Sequence, residues 1–125
     1  MTEVDWGATA TAAVVGYALG SLSPAAAAAR LRGVDLRESG SGNPGATNAA
    51  RAMGVKVGVV VGVMDVAKGY APVAYFNRYG APAGEVAGLC AALGHVSSPL
   101  LKGKGGKGVA TSLGAILAIE PLWAV

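Results

Sequence analysis

Apolar stretches separated by short polar ones set the pattern of this chain, and their lengths are those of membrane spans. From Gly7 to Ala29 there is no charged residue, which is about the twenty residues a helix needs to cross the hydrocarbon core. A second stretch runs from about Val57 to Phe76, a third from about Glu85 to Leu101 and a fourth from Val109 to Val125. The pattern predicts an all-α, polytopic transmembrane helix bundle of about four spans in one membrane domain, residues 1–125. Span one is mostly Ala and Gly with little Leu, so its helix is expected to pack against protein. Pro24, in GSLSP, is expected to kink it or start a new helical segment, with Ser hydroxyls satisfying the freed carbonyl groups. Trp6 suits an interfacial anchor. Span two carries Asp65 and Lys68, one helical turn apart on one face. They are expected to pair and to point into the bundle, as a local structural pair or as part of a functional pathway.

Composition strengthens the membrane reading. The chain has 125 residues, 53% hydrophobic and only 14% charged, where soluble domains carry about a quarter. Its net charge of +3 does not point to nucleic acid, because the basic residues lie in short loops without interleaved aromatics. Five of them fall between Arg30 and Lys56, three at Lys102, Lys104 and Lys107, and Arg78 stands alone in the intervening connection. By the positive-inside rule both basic loops are cytoplasmic and the N-terminus is outside. The start, MTEVDW, has no Lys or Arg before Arg30, which predicts a retained first span and no cleaved signal peptide. The single Cys90, in GLCAALG, reads as a buried structural thiol.

The two basic loops carry the candidate chemistry. The first contains GSGNPGATNAAR, Gly40 to Arg51. Its glycines Gly40, Gly42 and Gly45 leave backbone N–H groups approachable, and Ser41, Asn43, Thr47 and Asn48 add hydrogen-bonding side chains. That combination suits an oxyanion, and Arg51 adds a fork that matches phosphate. A plain Gly-rich turn capped by Asn or Ser is the bland alternative. Residues 47–53 are expected to form a short helix ended by Gly54, with its N-terminus toward the anion. The second loop lies in GHVSSPLLKGKGGKGVAT, Gly94 to Thr111, which holds the only histidine, His95. Lys104 and Lys107 flank Gly105 and Gly106, a phosphate-gripping pattern that is not a Walker A loop, since Gly108 follows Lys107. His95 reads as a structural hydrogen-bonded residue or as a general acid or base.

The pair GSGNPGATNAAR and GH…KGGKGVAT, with DVAKG from Asp65 to Gly69 between them and GSLSP and RLRGVD before them, resembles the bacterial acyl-phosphate:glycerol-3-phosphate acyltransferases, the PlsY family. The resemblance runs from Gly20 to Gly114. It implies a multi-pass enzyme of the bacterial inner membrane that moves a fatty acyl group from acyl phosphate to the 1-hydroxyl of glycerol 3-phosphate, giving lysophosphatidic acid. No metal and no cofactor are implied; the partners are the two substrates and the lipid bilayer. Ser41, Asn43 and His95 fall on catalytic positions, and Gly42, Gly45, Thr47, Asn48, Arg51, Lys104, Gly105, Gly106 and Lys107 on substrate-binding ones. Arg51 and Lys104 are expected to grip phosphate, Ser41 and Asn43 to orient the reacting groups, and a substrate phosphate to take the proton.

This chain departs from the family pattern after His95, where Ser97, Ser98 and Gly103 stand in places usually aromatic or Pro and Pro99 comes one place late. Members also carry a third motif with Asn and Glu near their C-terminus. The chain is therefore expected to be the N-terminal part of a longer acyltransferase fold. A different class of function, a non-catalytic phosphate-binding membrane scaffold or an anion-transport subunit, would use the same basic loops, with Asp65 and Lys68 as a pathway.

Overall fold

The computed structural model describes residues 3–120, and every regular element among them is helical. Helix α1 spans Trp6–Ser21 and opens on Asp5, whose Oδ1 accepts from the Ala8 N–H at 2.9 Å. Trp6, its first residue, is exposed, as an interfacial anchor must be. Pro24 does not merely kink span one. It starts a separate helix, α2, Pro24–Leu31, after two extended residues, Leu22 and Ser23. The reason is local: proline has no N–H, its ring clashes one turn back, and the residue before it is driven out of the α region. The Ser23 hydroxyl then accepts from the Ala26 N–H and caps the new start.

The carbonyls released by this break are not left bare. Ser98 Oγ donates to Ser21 O at 2.6 Å, and Lys68 Nζ donates to Leu22 O at 2.6 Å. Ser98, one of the departures from the family pattern, is thus a buried tie between the end of α1 and the segment after the third span.

Helix α3, Ala46–Met53, ends at Gly54 as expected, and Gly54 is also the only residue between it and α4, Val55–Phe76. Its φ of 99° is open to glycine at little cost, and that value turns the chain from one helix into the next. The 22 residues of α4 rise about 33 Å, enough to cross the hydrocarbon core. Helix α5, Ala83–Val96, is shorter than span three was expected to be, because Pro99 opens a separate 3-10 turn, Pro99–Leu101. Helix α6 covers Val109–Ile119, and the remainder of span four, residues 121–125, lies outside the described residues. Trp6–Leu31, taken across its break, and Val55–Tyr79 are long and apolar enough to cross a membrane, each with a mean hydropathy of 1.4.

Pairs of close residues fix the directions. Gly16 lies against Ala87 and Gly20 against Ala91, so α1 and α5 run parallel. Thr111 meets Asp65 and Ala118 meets Asn77, so α4 and α6 run parallel. Gly88 beside Val73 and His95 beside Asp65 make α5 antiparallel to α4. Both Gly-rich loops therefore emerge at one end, and Trp6 and Arg78 lie at the other.

The interior is built from small side chains. Ala12, Ala83, Ala87, Ala115 and Ala118 surround Val73 and Phe76, while Val14, Val59, Val63, Leu89, Leu113 and Ile116 face outward. Close backbone approach among small residues with large apolar groups outside is the packing that lipid favours. A second cluster, Ala25, Ala29, Leu36, Ala49 and Val61, pins α2 and α3 to α4 under the first loop. Cys90 is half-buried, not fully buried as its apolar neighbours suggested, because α5 turns it partly toward the outer face.

Candidate active site

The first loop is fastened from below. Asp35 Oδ1 accepts from the Arg37 N–H at 2.9 Å, which sets a 3-10 turn over Leu36–Glu38 and buries Leu36. Asn48, expected to touch substrate, is only 1% exposed; its Nδ2 donates to Leu36 O at 3.2 Å and its Oδ1 has no partner among the described residues. That oxygen faces Gly40, and the Arg51 stem passes over the same glycine. Gly40, Asn48 and Arg51 are thus brought together, with Ser41, Thr47 and Arg51 exposed above them and Asn43 half-buried. The intrahelical ladder of α3 begins with Ala49 N to Gly45 O, so the N–H groups of Ala46, Thr47 and Asn48 precede it.

The second loop folds back onto α5. Gly105 N donates to Val96 O at 2.9 Å and Gly106 N to His95 O at 3.2 Å. In the first loop Gly42 N donates to Ser39 O and Gly45 N to Asn43 O. The backbone donors expected to hold phosphate at these four glycines are therefore occupied by the loops themselves. Small size is what the glycines supply: a Cβ at Gly105 would come 2.7 Å from Val96 O. The donors left at the surface are the charged and hydroxyl side chains and the start of α3.

A residue that the sequence reading passed over joins the two loops. Arg37 Nη2 donates to the Lys104 carbonyl, and Nη1 reaches Gly42 O at 3.4 Å. In the sequence Arg37 is one of five basic residues in its segment, with nothing to single it out. Arg37→Lys, which keeps the charge and loses the planar fork, should open this clasp. Amide exchange at Gly103 to Lys107 should then quicken about tenfold or more, given the ~1.5–3 kcal/mol of a hydrogen bond from a charged donor. Unchanged exchange would show that the loop holds without Arg37.

Among the described residues no side-chain hydrogen bond joins His95 to Ser41 or Asn43. The histidine sits at the end of α5, behind the second loop, in a buried polar cluster drawn from α4, α5 and α6. Its Nδ1 is 3.8 Å from Asp65 Oδ1 and 3.5 Å from Thr111 Oγ1, and Thr111 Oγ1 donates to the Asp65 carbonyl at 3.1 Å. Asp65 and Lys68 pair as expected, with Nζ 3.1 Å from Oδ1, although off the line of a good hydrogen bond. Lys104 and Lys107 are exposed, and among the described residues no three His, Cys, Asp or Glu side chains gather as a metal site would need.

Two openings flank the loops. One of about 340 Å³ lies between α2 and the first loop and is lined by Arg30, Arg37, Pro44 and Leu101 among others. The other, an open groove of about 670 Å³, starts at Ala46, Thr47 and Ala110 and runs along α4 past Val55, Val59, Val63 and Val66. Its lining is almost wholly apolar, with the start of α3 at its polar end.

A profile of the family described as glycerol-3-phosphate acyltransferase matches residues 10–125. The chain belongs to this family. Its relatives include the glycerol-3-phosphate acyltransferases of Aquifex aeolicus, 43% identical over 86% of this chain and 58% of that protein, and of Myxococcus xanthus, 47% identical over 90% and 61%. The chain thus spans about 58–61% of the length of these two acyltransferases. A crystal structure of PlsY (YgiH), an integral membrane glycerol 3-phosphate acyltransferase, in its glycerol 3-phosphate form, superposes with a TM-score of 0.87 at 40% identity, over 90% of this chain and 58% of that one. The lysophosphatidic acid form of the same enzyme gives 0.83 at 39%. The bundle described above accordingly shares the all-helical fold of the superposed 58% of that integral membrane protein.

Proposed function

We propose that this chain transfers a fatty acyl group from acyl phosphate to the 1-hydroxyl of glycerol 3-phosphate, releasing lysophosphatidic acid and phosphate. One observation carries the reading most: Arg37 clasps the two basic loops together, and an apolar groove along α4 begins at Ala46 and Thr47, the start of the helix that follows the first loop. Both substrates bear phosphate and one bears a hydrocarbon tail, so they need cations and a greasy trough side by side. Arg51 and Lys104 grip the phosphates with Lys107 behind them, aided by the leading N–H groups of α3. Ser41 and Asn43 orient the hydroxyl against the acyl carbonyl, and the tail lies along Val59, Val63 and Val66. The hydroxyl oxygen bonds to the acyl carbon, the bond from that carbon to the phosphate oxygen breaks, and the hydroxyl proton ends on the released phosphate. Because acyl phosphate is already activated, alignment and oxyanion stabilisation supply most of what is needed.

Residues 1–125 form one membrane domain in this reading, the N-terminal part of a longer acyltransferase fold. The loops face the cytoplasm and the N-terminus lies outside, in the bacterial inner membrane, as the eight basic residues at the loop end against Arg78 at the other support. Lys68 bonds to the helix break and pairs with Asp65, which in turn borders His95, and this favours a fixed structural place for the pair over ion conduction.

The direct test is phosphate release from palmitoyl phosphate by the full 125-residue chain in lipid, with and without glycerol 3-phosphate. Release that depends on glycerol 3-phosphate is expected. Binding of glycerol 3-phosphate without release would reduce the chain to a substrate-binding part, and phosphate uptake into vesicles without transfer would replace the reading by transport.

A further inference from the structure

The proton on His95 can be located from its surroundings. Two groups face Nδ1, and both are acceptors. One is Asp65 Oδ1, buried and lacking a hydrogen-bonding donor. The other is Thr111 Oγ1, whose own proton is committed to the Asp65 carbonyl, so toward the imidazole it offers only a lone pair. Lys68 already balances the Asp65 charge and is anchored on Leu22 O, so no second cation is required of the ring. On the opposite edge, Nε2 faces Gly106, has no hydrogen-bond partner among the described residues, and would be covered by a side chain at that position.

We propose that Asp65 and Thr111 are positioning residues that hold His95 as the Nδ1–H tautomer, so that Nε2 presents a lone pair to the second Gly-rich loop. His95 is then an acceptor. It takes a hydrogen bond from a hydroxyl-bearing ligand held at that loop and donates none to phosphate from Nε2. The ligand part of this inference rests on the acyl-transfer reading above, where the hydroxyl belongs to glycerol 3-phosphate; the tautomer does not. The three positions lie on α4, α5 and α6, so packing of those helices and the state of the imidazole are one arrangement. A carboxylate that fixes the tautomer of a histidine in this way sets which nitrogen can work.

The chain has a single histidine, so a sample labelled with 15N-histidine in lipid bilayers gives one imidazole to read. A protonated Nδ1 and an unprotonated Nε2 are expected near neutral pH. In Asp65→Asn the new amide donates to Nδ1, and the Nε2–H form should become the major one. Thr111→Val should shift the balance the same way and Thr111→Ser should restore it, which keeps the test intact if Asp65→Asn does not fold. An Nε2–H or doubly protonated ring in the parent chain would overturn the assignment. An unchanged spectrum in Asp65→Asn, or in Thr111→Val if only that variant folds, would overturn the positioning role. Turnover measured on the same samples separates the two readings. Asp65→Asn should lower kcat about a hundredfold, the scale seen when a reacting group is misplaced by about an ångström, with KM little changed. An inactive parent chain with the expected spectrum would sink acyl transfer and leave the tautomer standing.

Discussion

Lys104→Ala is expected to cut the proposed acyl transfer, with kcat/KM down about a hundredfold or more, the scale seen when one group that stabilises developing charge is removed. The geometry makes the experiment clean. Lys104 takes part in the loop clasp through its backbone carbonyl, which accepts from Arg37. Truncating the side chain leaves that contact in place and removes only an exposed ammonium. Any loss then reports on charge at the phosphate and not on collapse of the loop. Lys104→Arg should retain part of the rate, since the charge persists with a different shape. Lys102→Gln is the control: an exposed lysine two residues away with no side-chain bond among the described residues. Steady-state phosphate release in lipid measures all three. Normal turnover in Lys104→Ala would remove this lysine from the site, and equal losses in Lys104→Ala and Lys102→Gln would mean that only bulk positive charge matters.

Gly114→Leu should lower the apparent Tm in mild detergent by about 5 °C or more, following ~1–3 kcal/mol for overpacking. Gly114 packs on α4 backbone to backbone: a Cβ there would stand 2.8 Å from the Val66 carbonyl carbon and 3.0 Å from Tyr70 N. Backbone cannot rotate aside as a side chain does, so α6 must move off α4. That movement also pulls Thr111, one turn earlier, away from the Asp65 carbonyl. Activity should fall with stability, and Gly114→Ala should be the milder version of both. Leu113→Ala, beside it but half exposed on the outer face, should change Tm little. Equal melting of Gly114→Leu and the parent chain would show that the two helices are not held in this register.

Local pattern made the helices legible and left their meeting points hidden. Pro24, Gly54 and the Asp65–Lys68 pair are decided within a few residues, so each could be read from the chain. Thr111 and Asp65 are 46 residues apart and His95 sits between them in sequence on a third helix; no periodicity specifies that junction. Arg37 and Lys104 are 67 apart, and the sequence offers five equivalent candidates for one clasp. Gly42, Gly45, Gly105 and Gly106 were read by composition as free N–H donors. Composition reports that the backbone is approachable, but a loop as tight as these turns its N–H groups inward to its own carbonyls.

The break after α1 also bears on how the protein is made. Its two open carbonyls are satisfied by Lys68, in the second long span, and by Ser98, beyond the third. During synthesis the first span enters the bilayer before either donor exists, and each unsatisfied carbonyl in hydrocarbon costs several kcal/mol. The break between α1 and α2 is therefore provisional until its partners arrive from the ribosome. A chain released after residue 54 carries the break alone and should be cleared by membrane quality control, whereas one released after residue 108 carries both donors and should persist. Pulse-chase of the two lengths reads the difference, and equal lifetimes would show that lipid tolerates the open break unaided.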